Sequence, residues 1–140
     1  MTPQIPVVWP DVTKLALDYL RTAYPATYPD LDAVTFSRSR PETTAPSRLV
    51  SLVAVPQGRA TLISRTFSLV IEAAVVDGDG VDDVGEAYNV GARVLAVLQA
   101  WPSSNGKVVA VSDGTGPTPA REAASQREFQ ELTSVIEVQR

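Results

Sequence analysis

The residue types and spacings with the most chemical promise lie in segment 77–83, Asp-Gly-Asp-Gly-Val-Asp-Asp. It follows an alternating apolar run and precedes a helical stripe, the position that phosphate-binding loops occupy. A dinucleotide fingerprint, however, needs a glycine three residues after Gly80, where the chain has Asp83, and four carboxylates would repel a phosphate. As a calcium loop, Asp77 and Asp79 fit the first two ligand positions. Val81 then takes the third, Asp82 replaces the required glycine, and Tyr88 stands where the bidentate glutamate belongs. A tight turn followed by helix capping accounts for the same residues more simply, since carboxylates suit the positive end of a helix dipole.

Ser104 and Lys107 have the bare Ser-x-x-Lys spacing of some acyl-transfer enzymes. That chemistry needs both side chains on one helix face, and the Asn105-Gly106 pair between them favours a turn instead. The chain contains no histidine and no cysteine, so imidazole bases, Ser-His and Cys-His nucleophiles, thiolate metal sites and disulfides all fall away. We expect no enzyme activity, no cofactor and no metal. The remaining candidates are contact residues. Arg38, Arg40 and Arg48 bracket one polar, proline-rich loop, and Asp113 and Arg121 belong to another. Such residues can serve partner recognition or simply be solvated loop charges. Trp9 and Trp101 suit core or interface packing, as aromatic residues dominate both kinds of buried surface.

The elements that must position these loops centre on residues 59–101. Phe67, Leu69, Ile71, Ala73 and Val75 alternate along one strand face. Val84, Ala87, Tyr88, Gly91, Val94, Leu95, Leu98 and Trp101 then recur at helical spacing, before Pro102 and the 103–106 turn end the helix. Such a helix would cover the sheet and bring Gly91 close to a strand. Upstream, three prolines in the first ten residues imply extended chain. Val12, Leu15, Ala16, Tyr19, Leu20 and Ala23 form the stripe of a first helix, which Pro25 is expected to stop. Val34 and Phe36 suggest a short strand, and 38–47 a projecting loop. Residues 49–55 read as a strand covered on both faces, joined through the 56–58 turn to the strand opening at Ala60. After the central helix come a valine-rich strand over 107–112, a Gly- and Pro-rich loop over 113–125 with a possible helical turn at 121–125, and a last strand over 128–138. There Phe129 is out of phase with Leu132, Ile136 and Val138, which a bulge near Glu131 would reconcile.

The whole 1–140 chain therefore reads as a single α+β domain in the order α-β-β-β-α-β-β: a mainly antiparallel sheet covered by two helices, with long projecting loops. Its size would bury roughly 68% of the unfolded chain's surface. Eleven prolines and eight glycines among 140 residues imply substantial loop content. A net charge of −4 argues against general nucleic-acid binding. The N-terminus has no signal-peptide pattern, and no apolar run approaches a membrane span, so a cytoplasm-like compartment and no membrane partner are expected.

This order of elements, with segments 65–72 (Arg-Thr-Phe-Ser-Leu-Val-Ile-Glu), 87–95 (Ala-Tyr-Asn-Val-Gly-Ala-Arg-Val-Leu) and 129–140, resembles the tail terminator proteins of long-tailed bacteriophages over nearly the whole length. The resemblance implies a structural virion protein at the head-proximal end of the tail. There a cyclic homo-oligomer, a hexamer in that family, ends polymerisation of the tail tube and docks to the head–tail connector proteins. DNA would pass through its lumen without specific binding, and assembly would take place in the host cytoplasm. No catalytic residue is implied. A neck or head-completion connector of the same virion, or a small carboxylate-based hydrolase, are the alternatives.

Overall fold

A computed structural model describes residues 9–38, 47–58, 60, 64–101, 107–123 and 127–139. Helix α1 (Val12–Thr27) is followed by strands β1 (Thr35–Ser37), β2 (Arg48–Gln57) and β3 (Ser64–Val75), helix α2 (Val84–Gln99), and strands β4 (Val108–Asp113), β5 (Thr118–Arg121) and β6 (Glu128–Gln139). The strands form one sheet in the order β1-β2-β3-β6-β4, with β5 beside β6; only β1 and β2 pair in parallel. The α+β architecture is as expected, with β5 added inside the loop anticipated at 113–125. That loop therefore lies along the sheet as far as Arg121, which ends a strand. Of the helical turn anticipated at 121–125, Arg121 instead ends β5 and neither Glu122 nor Ala123 is helical, while 124 and 125 lie outside the described residues, as does most of the projecting loop expected at 38–47, at 39–46.

Strand β3 behaves as its alternation dictates: Phe67, Leu69, Ile71, Ala73 and Val75 are all buried, facing the helices. Antiparallel pairing with β2, from Arg48↔Val75 to Gln57↔Thr66, makes the expected hairpin. Burial along β2 is two-sided only over its first half, however. Leu49, Val50, Ser51 and Leu52 are buried, whereas Val53 and Val55, on the face that no helix covers among the described residues, are about half exposed.

Strand β6 pairs with β3 without interruption from Ala73↔Gln130 to Ser64↔Gln139, so the bulge expected near Glu131 is absent. Phe129 is buried on the face opposite Leu132 and Ile136, directly across from Ala120 of β5, and this pairing removes the need for a phase slip. The irregularity in this part of the sheet lies instead in β4, between Val108 and Ala110.

The helices deviate in two instructive ways. Pro25 sits inside α1, which continues to Thr27. A proline that near the C-terminus removes a single backbone bond, and the Tyr28 N–H to Tyr24 carbonyl bond still closes the last turn. In α2 the buried side comprises Ala87, Val90, Gly91, Val94, Val97 and Leu98, followed by Trp101, while Tyr88 points outward at 49% exposure. The phenol can reach water there, and Val90 and Val97 fill the interior instead. Gly91 lies against the sheet as its position implied: a Cβ there would stand 3.1 Å from Leu132 and 3.3 Å from Pro117.

Tyr19 ties the two helices together, stacking on Trp101 with ring centroids 4.9 Å apart and donating to the Val97 carbonyl at 2.6 Å. Truncating Leu69, which is fully buried, should cost about 2–5 kcal/mol through lost burial and the cavity left behind. Tyr88→Ala should stay within about 0.5 kcal/mol. Urea unfolding of both variants checks the assignment of faces.

Candidate interaction surfaces

Three of the four carboxylates in segment 77–83 are consumed by structure. Asp77 Oδ1 accepts from the N–H groups of Asp79 (2.8 Å) and Val81 (3.0 Å), closing the turn on itself. Asp83 caps α2 by accepting from the Glu86 N–H at 3.0 Å. Asp82 reaches across to the start of β6, accepting from Arg127 Nε and from the Glu128 N–H, each at 2.9 Å. These three carboxylates thus serve three different sets of backbone or side-chain donors. Among the described residues no group of three or more acidic side chains is placed to hold a metal ion.

The five candidate contact residues do not converge. Arg38 binds Asp11, and Arg48 binds Asp32 at 3.1 Å, both at the β1–β2 edge. Arg40 lies outside the described residues. Asp113 ends β4, opposite Ser134, and Arg121 ends β5 in an ion pair with Glu128; both belong to the other edge of the sheet. Three to four strand spacings, about 14–19 Å, separate the two groups. Ser104 is outside the described residues, and Lys107 is exposed just before β4.

The β1–β2 edge is closed to a further strand. Arg21 donates to the Phe36 carbonyl at 2.8 Å, and the Ala54 N–H, which points away from β3, donates to Thr13 Oγ1 at 2.9 Å. Pro56 shares the direction of Ala54 and has no N–H to offer. Capped and missing donors of this kind prevent edge-to-edge pairing.

Small cavities flank the domain, and two of them are formed by described residues. One, of about 290 Å³, is lined by Tyr24, Tyr28, Phe36 and Leu31 at the end of α1. Burial pushes the Tyr24 hydroxyl above its ordinary range, with the Arg93 guanidinium pulling the other way. The second, about 240 Å³, lies between Val84 and the β5–β6 pair at Pro119, Ala120 and Glu128. Arg21 and Asp32 complete the polar lining of the first, and Arg121 that of the second.

The helix-free face of the sheet is the most distinctive surface, and neither composition nor spacing revealed it. Glu72 of β3 stands directly opposite Glu131 of β6, and Glu137 lies farther along β6 opposite Thr66. The described strand residues on this face include no lysine or arginine; Val53, Val55, Val70, Val135 and a series of serines and threonines make up much of the rest. Like charges directly opposite each other on a sheet face lower stability. Only the register of two strands far apart in sequence creates the pair. No protein-family model matches the chain. No curated protein matches it either.

Hydrogen bonds from Arg38 and from the Lys14 N–H hold Asp11 below the ordinary carboxylate range, the Arg38 bond contributing most. A depressed folded pKa stabilises the protein above the unfolded value of about 3.9, and that contribution disappears as pH falls below it through the folded value. Stability measured between about pH 5 and pH 2 should therefore fall less steeply in Asp11→Asn than in the wild type. At the other helix, Asp83→Ala should cost about 1 kcal/mol in urea unfolding through loss of the α2 cap.

Proposed function

We propose that the protein is a structural virion component: a ring that caps the head-proximal end of a phage tail tube, ends its polymerisation and docks to the head connector. The observation that carries this reading is the segregation of the sheet's two faces. One is sealed by both helices; the other is helix-free and carries Glu72, Glu131 and Glu137, with no lysine or arginine among its described strand residues. Turned toward the lumen of a ring, an acidic, hydroxyl-rich wall lets DNA slide past, since favourable phosphate contacts would need lysine or arginine. The resemblance in element order to tail terminators supports the same role, and no helix among the described residues is long and apolar enough to cross a membrane. A neck connector of the same virion would share this design and differ in its position along the particle.

A small carboxylate-based hydrolase is the second reading, and Glu72 opposite Glu131 is the observation in its favour. Those carboxylates stand on an open sheet face, however, and line neither of the two cavities. The phage reading is tested by adding the purified protein to polymerising tail tube protein and imaging the products. Capped tubes of arrested length, with a six-fold ring at one end, are expected. Uncapped tubes, or a single copy at the tip, would overturn it. In the same preparation, duplex DNA should not be retained at physiological salt, whereas the Glu72→Lys/Glu131→Lys variant should retain it.

A further inference from the structure

The two ends of β3 carry opposite and complementary chemistry. Among the described residues, Lys14, Arg38, Arg48, Arg93, Arg121 and Arg127 each hold a carboxylate, and Arg21 holds a backbone carbonyl. Arg65 holds neither among them. Its guanidinium lies over the Phe67 ring, 5.8 Å from the centroid, and its Nε is buried without a hydrogen-bond acceptor. A buried donor left unsatisfied is costly and calls for a physical reason. Arginine is also among the residues enriched at the anchor points of protein interfaces, where its planar fork can meet a carboxylate.

The other end of the strand supplies such a carboxylate. Ten residues beyond Arg65, β3 ends at Val75 and enters the 77–83 turn. There Asp77 is occupied with the turn's own N–H groups, while the exposed Asp79 side chain makes no ion pair among the described residues. Close to it Val81 is 59% exposed, an apolar side chain without cover. The turn is held rigid by its internal bonds, so little ordering would be lost on docking. Arg65 and Asp79 are about 40 Å apart along the strand and cannot meet within one molecule.

We infer that the Arg65–Phe67 end of β3 receives the Asp79–Val81 turn of a second copy of this chain. The inference rests on the ring reading and names the contact that would join its subunits. Because the two surfaces are different, the contact is head-to-tail, the type that generates closed rings when the rotation per subunit permits.

Native mass spectrometry and light scattering at physiological salt test the contact, with circular dichroism melting to establish that each variant is folded. Arg65→Glu and Asp79→Arg, each alone, should raise the concentration needed for assembly more than about tenfold, as expected when a charge pair central to a contact becomes a like-charge pair. Asp79 is exposed, so its replacement probes the contact without disturbing the core. An equimolar mixture of the two single variants should reassemble by alternation. Every contact would then join opposite charges again, the introduced carboxylate facing the introduced guanidinium and the native Arg65 facing the native Asp79. The double variant should also assemble. Single variants that assemble like the wild type, or single variants that fail and are not rescued by mixing, overturn the contact while leaving the ring itself intact. A wild-type protein that stays monomeric at every concentration, alone and on the tail tube, overturns both.

Discussion

The seating of α2 across β3 and β6 is the contact on which the remaining architecture depends. Leu69, Ile71, Leu132 and Ile136 present one continuous apolar surface, and Val90, Val94, Val97 and Leu98 close over it. Gly91 lets the helix come down onto Leu132 and Pro117, where a Cβ would press on both side chains. The segment beside Pro117 is equally constrained. Gly116 has a φ of 89° and runs so close to β6 that a Cβ would lie 2.4 Å from the Glu131 carbonyl oxygen. The β4–β5 connection is thereby held against β6 and contributes a strand to the sheet, where the proline and glycine content alone suggests a free loop.

Placing both helices on one face leaves the other to side chains alone. Near the β2 N-terminus and the β6 N-terminus, Leu49 and Phe129 are still buried; farther along β2, Val53 and Val55 emerge half exposed. The closed β1–β2 edge and the internally bonded 77–83 turn show the same economy, with polar groups satisfied within the domain. Two features stand out: Glu72 and Glu131, like charges in register on the helix-free face, and Arg65, whose buried Nε has no acceptor. They are the two surfaces on which the functional reading and the subunit contact rest.

Much of the fold is legible from local pattern. The two-residue period of β3 and the broad apolar stripe of α2 identify these elements because periodicity reports which side chains share a face. The capping role of segment 77–83 follows from carboxylates at a helix start. The departures share one origin. Tyr88 fits the apolar stripe by spacing but is turned outward, with Val90 and Val97 taking the interior, since the rotation of a helix is decided by what it packs against. Pro25, a residue expected to end a helix, is tolerated in the final turn of α1. Phe129 suggests a bulge only while burial on the second face is unknown. The dispersed contact candidates Arg38, Arg48, Asp113 and Arg121 rest on loop composition, which says nothing about whether loops converge.

By itself the sequence determined the identity of the core strand and its covering helix, the turn between them, and the absence of histidine and cysteine chemistry; each of these depends on neighbours along the chain or on composition. Tertiary structure alone decided that Glu72 would face Glu131, that Thr13 would cap the Ala54 N–H, and that Arg65 would lie over Phe67 with its Nε unsatisfied. The first two pairings join residues on separate elements far apart in the chain, and the third depends on what packs around a single side chain. Strand register and helix docking, which are set by the whole core at once, are what bring such groups together or leave them without a partner.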